Sequence, residues 1–161
     1  MRPADPQLLN RELFDALIER ARRSPRLRVN HNFHTGPEDN PHRFLNVMVR
    51  GTYIAPHRHS TPPKAESFLV IEGQLAFFTF DDAGAVATVS RLGRDPVGID
   101  LQPRTWHTIA PLSDCVVCYE VKPGPYDPGS DKEFAPWAPR EGDPSVAAYL
   151  EYLMAVAKSR G

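Results

Sequence analysis

The chain has 161 residues, 41% hydrophobic and 24% charged, with a formal net charge of −1. That size fits one domain with enough core to fold without a disulfide or structural metal, and the ordinary composition excludes a disordered chain. Near-neutrality excludes a general attraction to nucleic acid or to an anionic membrane, and no apolar run approaches the roughly 20 residues of a bilayer span. The first residues, MRPADPQLLNREL, contain no apolar signal-peptide core, so the expected compartment is the cytoplasm.

The first element is expected to be a helix. Asp5 is a good N-cap and Pro6 a good first helical residue. Leu9, Leu13, Ala16, Leu17 and Ala21 then form an apolar stripe, and Arg20, Arg22 and Arg23 complement the dipole at the C-terminal end. Residues 29–42 carry His31, His34 and His42 without a clean period and read as a loop or a short edge strand.

From Arg43 the period changes to two. RFLNVMV, TYIAPHRH, AESFLVIE, QLAFFTFDD, AVATVSRL, GIDL, TWHTIA and CVVCYEV each read as a strand, separated by turn residues such as Glu72-Gly73 and Asp95-Pro96. Short strands without intervening helices predict an antiparallel sandwich or barrel. Cys115 and Cys118 are three apart on one such strand, on opposite faces, which argues against a redox or metal pair. Residues 122–143 are rich in proline and glycine and are not expected in a sheet; Phe134 and Trp137 are their candidate anchors. Asp143-Pro144 starts a last helix carrying Val146, Tyr149, Leu150, Leu153, Val156 and Ala157. The expected division is 1–42 for the first helix and an irregular arm, 43–122 for the barrel core, and 123–161 for the proline-rich arm and last helix, all in one domain.

The chemistry concentrates on histidine. His57 and His59 form H-x-H, which strand alternation puts on one face. Glu66 shares a face with Phe68 and Val70, and a carboxylate in that company is costly unless paired, hydrogen-bonded or metal-bound. His107 adds a third imidazole in TWHTIA. Three neutral nitrogens and a carboxylate oxygen suit a divalent first-row ion.

These residues resemble the first cupin motif: Gly51, five residues, His57, one residue, His59, then Glu66, six residues and Gly73. The six-residue spacer between His59 and Glu66 is longer than in most cupins, and of the second motif only His107 matches, with Gln102 and Arg104 in the proline and glycine places. Over nearly the whole chain, NHNFH (30–34), RFLNV (43–47), GTY-x₃-HRH (51–59), K-x-ESFLV (64–70), WHT (106–108), EVKPGPY (120–126) and FAPWAP (134–139) are similar to the WbuC-type cupin-fold metalloproteins. That bacterial family is associated with surface-polysaccharide gene neighbourhoods. The resemblance implies a mainly β, antiparallel jelly-roll (cupin) barrel with a helix at each end, and one zinc, iron, manganese or nickel ion on His57, His59, Glu66 and His107.

Other polar residues are candidates for the ligand site. Glu66, His31 and His34 are candidate bases. Asn32, Arg43, Asn46, Tyr53 and Lys64 are candidate ligand contacts, Lys64 either holding an anionic ligand or pairing with Glu66. Asn46 is either a satisfied buried amide or a pocket contact, and Trp106 is expected on the opposite face from His107. Three functions remain open at this stage: a metal-dependent isomerase, epimerase or lyase acting on a sugar or related small molecule, an Fe(II) oxygenase, or a non-catalytic binding or sensor module. The expected partners are a small molecule and, because strand edges need cover, a second copy of the chain in a homodimer; neither nucleic acid nor a membrane is expected.

Overall fold

The computed structural model describes residues 5–160. The elements are α1 (Arg11–Arg23), β1 (Arg28–Asn32), β2 (His42–Val49), β3 (His57–Arg58), β4 (Glu66–Glu72), β5 (Leu75–Phe80), β6 (Val86–Leu92), β7 (Gly98–Leu101), β8 (Trp106–Pro111), β9 (Cys115–Lys122), β10 (Glu133–Phe134) and α2 (Val146–Arg160). The strands form two five-stranded sheets, ordered β1-β2-β9-β4-β7 and β10-β3-β8-β5-β6, with every pairing antiparallel. This is the jelly-roll barrel with a helix at each end that the sequence predicts.

The alternation of the strands explains the layering. On β4, Glu66, Phe68 and Val70 are buried while Ser67, Leu69 and Ile71 are exposed. The inward residues meet Met48, Leu75, Phe77, Ile109, Val116 and Cys118 in a core between the sheets. The outer face of the first sheet is covered by α1, whose Phe14, Leu17, Ile18 and Ala21 pack on Leu45, Val47, Val49 and Val117. The second sheet turns Phe78, Phe80, Trp106 and Ala110 outward against Leu153 and Ala157 of α2, with Trp137 beside them. With both faces covered, β2 and β8 are buried almost throughout, so their burial does not alternate.

Three expectations need correction. Helix α1 starts at Arg11, because the Asn10 side chain accepts from the Leu13 N–H at 3.0 Å; Asp5 and Pro6 lie outside the helix. The buried stripe, Phe14, Leu17, Ile18 and Ala21, begins just after the turn that Asn10 caps, and Leu9 and Ala16 lie exposed off that face. In the 29–42 segment, the edge-strand alternative holds: β1 pairs with β2 at the edge of its sheet. In the proline-rich arm, Glu133 and Phe134 pair with Arg58 and His57 as β10. Proline-free at these two positions and at a sheet edge, the arm can join a ladder there without a missing donor. Conversely, only His57 and Arg58 of the segment read as TYIAPHRH join a ladder.

Gly73 illustrates how the turns lock the layers. It sits at φ +80° after β4, and a Cβ there would lie 2.2 Å from the Cys115 carbonyl oxygen. A side chain is excluded both by backbone conformation and by close approach of β9. Cys115 faces the outer cluster and Cys118 the inner core, and both are free thiols, as the strand reading requires. No helix among the described residues is long and apolar enough to cross a membrane.

Candidate metal centre

The two sheets converge at one end of the barrel on four donors. His57 of β3 and His107 of β8 are direct cross-strand partners, with ring centroids 4.5 Å apart. His59 follows two residues after His57, on the same side of the extended chain. Glu66 opens β4 on the opposite sheet and closes the group from that side. One ligand atom from each of the four residues falls within 4.8 Å of every other. All four residues are at most 5% exposed.

The hydrogen bonds set the imidazole tautomers. His57 Nδ1 lies 3.0 Å from the Ala55 carbonyl oxygen, His107 Nδ1 lies 2.9 Å from that of Thr105, and His59 Nδ1 meets that of Asp131. A carbonyl only accepts, so each Nδ1 carries a proton and donates. In a neutral ring the other nitrogen, Nε2, then presents a lone pair. His59 Nε2, His107 Nε2 and Glu66 Oε2 are buried without a hydrogen-bond partner. Yet His59 Nε2 and His107 Nε2 stand 3.1 and 3.0 Å from the two carboxylate oxygens of Glu66. Lone pairs facing a carboxylate at that distance repel unless a cation lies among them. The donor set therefore fits a divalent metal ion, with the backbone carbonyls orienting the ligating rings.

The electrostatics agree. Burial, with help from the Lys132 ammonium and the neighbouring His107, holds His57 well below the usual imidazole range, so it is neutral and free to ligate. Burial raises the Glu66 carboxyl, and only positive charge at His107 and His59, the place a metal ion would take, holds it well below the usual range.

A cavity of about 900 Å³ opens in front of these residues. His57, Glu66 and His107 lie at one end; Asn46, Glu120, Lys122 and Lys132 also line the wall; and Asn32, His34, Arg20, Arg26 and Arg28 belong to the side towards α1 and β1. Glu120 is buried on β9 opposite Phe44 and Phe68, and Asn46 Nδ2 donates to its Oε1 at 2.7 Å. Burial and then the charge of Glu66 push its pKa up to about 7. In the wall, Asp131 ties two lysines together: Lys64 Nζ donates to its Oδ1 at 2.8 Å and Lys122 Nζ to its Oδ2 at 2.9 Å. The same residue's carbonyl accepts from His59, so Asp131 couples the lysines to a metal-site imidazole.

The other sequence candidates are distributed differently. Asn32, His34 and Asn46 line the cavity. His31 does not: it is opposite Leu45, on the outer face of its sheet, edge-on to Phe33. Strand parity separates it from Asn30 and Asn32. Arg43 is exposed on that same outer side, opposite Val121. Tyr53 donates its hydroxyl to the Pro139 carbonyl at 2.7 Å and packs on Tyr149, so it anchors the arm. Lys64 pairs with Asp131 rather than with Glu66. Trp106 faces away from His107, packs on Trp137 and donates to Asp82.

Three cavity residues escaped the sequence reading. Glu120 was detectable, since it shares strand parity with Cys118 and Val116 on an apolar face, the same argument that singled out Glu66. Asp131 and Lys132 lie in the proline-rich arm, where no period exists to assign a face.

Comparison with known proteins agrees with this architecture. Residues 9–92, just over half of the chain, match a family model described as "Domain of unknown function (DUF6016)". The chain belongs to this family. No curated protein matches the sequence significantly. Among solved structures, the capsular polysaccharide assembling protein CapF from Staphylococcus aureus is similar with a TM-score of 0.58 and 22% identity, over 69% of this chain and 32% of CapF. The chain thus spans about a third of the length of CapF. The L-ribose isomerase of Cellulomonas parahominis with L-ribose is similar at a TM-score of 0.56 and 16% identity, over 71% of this chain and 72% of that one. Protein SO0799 from Shewanella oneidensis is similar at a TM-score of 0.54 and 12% identity, over 80% and 83% of the two chains. At these identities the likeness establishes the fold alone: this DUF6016 protein has a cupin-like fold.

Proposed function

We propose that this protein is a metal-binding cupin of the WbuC type, with one divalent first-row ion on His57, His59, Glu66 and His107, acting on a sugar or related polyhydroxylated molecule of surface-polysaccharide metabolism. The observation that carries the metal reading is the set of buried, inward Nε2 and carboxylate atoms without hydrogen-bond partners, behind which each imidazole donates Nδ1–H to a carbonyl. The sugar reading is supported by the polar cavity and by two similar structures, one named for capsular polysaccharide assembly and one for L-ribose isomerisation.

The reaction class proposed is isomerisation, epimerisation or lyase chemistry. A bound divalent ion supplies Lewis-acid polarisation of a carbonyl or hydroxyl oxygen. Glu66, ionised and facing two imidazoles, belongs to the ligand set rather than to proton transfer. Glu120 has the better properties for moving a proton: it lines the same cavity, Asn46 holds one oxygen, and its pKa of about 7 lets it both accept and return a proton near neutrality.

Elemental analysis of untagged protein purified without chelator tests this reading. One equivalent of metal is expected, and none in a His57→Ala/His59→Ala variant that keeps its β-rich circular dichroism. Absence of metal after anaerobic reconstitution with zinc, iron, manganese and nickel in turn overturns it. Turnover of a sugar without oxygen supports the isomerase-type reaction; strict dependence on Fe(II) with oxygen consumption replaces it with an oxygenase.

A further inference from the structure

The cavity wall contains two lysines with different surroundings. Lys122 is neutralised: its Nζ is 2.9 Å from Asp131 Oδ2 and 3.8 Å from Glu66 Oε1. Arg28, which also lines the cavity, is paired with Glu141 and donates to the Tyr53 carbonyl. Lys132 makes neither an ion pair nor a hydrogen bond among the described residues, although it too lines the cavity and is only partly exposed. A partly buried ammonium without a counter-charge is costly to keep, and proteins rarely leave one unpaired unless something else supplies the anion.

The position of Lys132 makes the vacancy specific. It is next to Asp131, which already holds two lysines, so no neighbouring carboxylate is free to turn to it. Glu133 on its other side is committed to Arg58 at 2.6 Å. Burial, and then the like charge of Lys122, lower its pKa, so the two ammonium groups repel across the wall. It lines the same cavity as His57, Glu66 and His107, and two residues further on Phe134 pairs with His57, which puts Lys132 on the segment beside the metal end. Of the two cavity carboxylates whose charge reaches Lys132, Glu66 belongs to the metal-ligand set, and Glu120 gives its proton up only near pH 7 and is bonded to Asn46.

We propose that Lys132, with Lys122 beside it, binds an oxyanion group of the ligand, so that the molecule taken by this cavity is acidic: a sugar acid or a sugar phosphate. This inference rests on the reading of the cavity as a ligand site in front of a metal. It deepens that reading by naming the ligand's charge. One oxyanion satisfies the unpaired ammonium of Lys132 and relieves its repulsion with Lys122. The hydroxyl groups of the same molecule then extend towards His57 and Glu66, which line the same cavity.

Calorimetric titration of the full chain, with and without zinc, tests the proposal. The probes are inorganic phosphate, glucose 6-phosphate, glucuronate and, as a neutral control, glucose. At least one oxyanion probe is expected to bind more tightly than glucose, and Lys132→Met to weaken it roughly tenfold to a hundredfold, the loss of one charge-assisted hydrogen bond. Lys132→Arg is expected to retain binding. Preference for the phosphates identifies a phosphorylated ligand; preference for glucuronate identifies a carboxylate. Thermal unfolding serves as the folding control: Lys132→Met should melt no lower than the parent, because it removes an unpaired cation. The proposal is overturned if glucose binds as tightly as every oxyanion, if Lys132→Met binds the oxyanions like the parent, or if the variant melts clearly lower, which would make Lys132 structural. Metal content measured on the same samples separates the two readings: absent metal defeats the metal centre, whereas the oxyanion result on the zinc-free chain still decides the role of Lys132.

Discussion

Replacing Glu66 by glutamine distinguishes a metal centre from a buried network of imidazolium and carboxylate groups. In metal-free protein at pH 8, His59 Nε2 and His107 Nε2 present lone pairs to the two Glu66 oxygens at 3.1 and 3.0 Å. The Glu66→Gln amide supplies an N–H donor at that place, so one lone pair gains a hydrogen bond and the buried negative charge is removed. Satisfying a buried acceptor is worth about 1–3 kcal/mol. For a chain of this size each kcal/mol moves Tm by roughly 2–4 °C, so chelated Glu66→Gln should melt roughly 2–12 °C above the chelated parent. With metal the order should reverse. Saturation at about a thousand times Kd stabilises the parent by about 4 kcal/mol, or roughly 8–16 °C, and the variant, lacking an anionic ligand, gains much less. Differential scanning fluorimetry with chelator and with zinc reads both halves of the crossing. A variant that melts below the parent under both conditions would refute the argument, because it would mean that Glu66 already accepts hydrogen bonds from protonated histidines.

Other consequences can be measured independently. Asp131→Asn leaves Lys64 and Lys122 without their shared carboxylate; breaking a buried ion pair costs about 3–5 kcal/mol, so Tm should fall by roughly 6–20 °C, and an unchanged Tm would show that both ammonium groups reach water. Glu120 has a folded pKa of about 7 against an ordinary 4.5, so the fold binds its proton more tightly than the unfolded chain does. That contribution, on the order of 3 kcal/mol, is complete below the unfolded pKa and is lost as pH rises through the folded one. Denaturant titrations of chelated protein between pH 4.5 and 7 should therefore show a fall in stability that is flatter in Glu120→Gln; equal slopes would place the carboxyl in solvent. Gly73→Ala should cost about 2 kcal/mol or more through its positive φ and the clash with Cys115, whereas Gly36→Ala, with open space around it, should stay within about 0.5 kcal/mol; similar losses at both would contradict the packing described.

Much of the architecture was readable because burial imposes period. The alternation of Glu66, Phe68 and Val70 placed a carboxylate on an apolar face, and H-x-H placed two imidazoles on one side, before any partner was known. Local competition limited the reading of α1: Asp5 and Asn10 are both good caps, and only packing on Leu45, Val47 and Val117 selects the second. The same limit applied to Tyr53, whose parity suited a pocket but whose hydroxyl is taken by Pro139 of the arm.

The sequence by itself determined the fold class, the four clustered donors and the inward face of most strands, since side-chain parity and turn chemistry are local properties of the chain. The tertiary structure decided what those donors meet. The carbonyls that orient His57 and His107 are local, but that of Asp131 reaches His59 across 72 positions of sequence. It likewise turned His31 and Arg43 away, brought Glu120 into the cavity, and left Lys132 there without an ion pair among the described residues. The proline-rich arm has no period from which such contacts can be read, so its place in the site follows only from pairing β10 against β3.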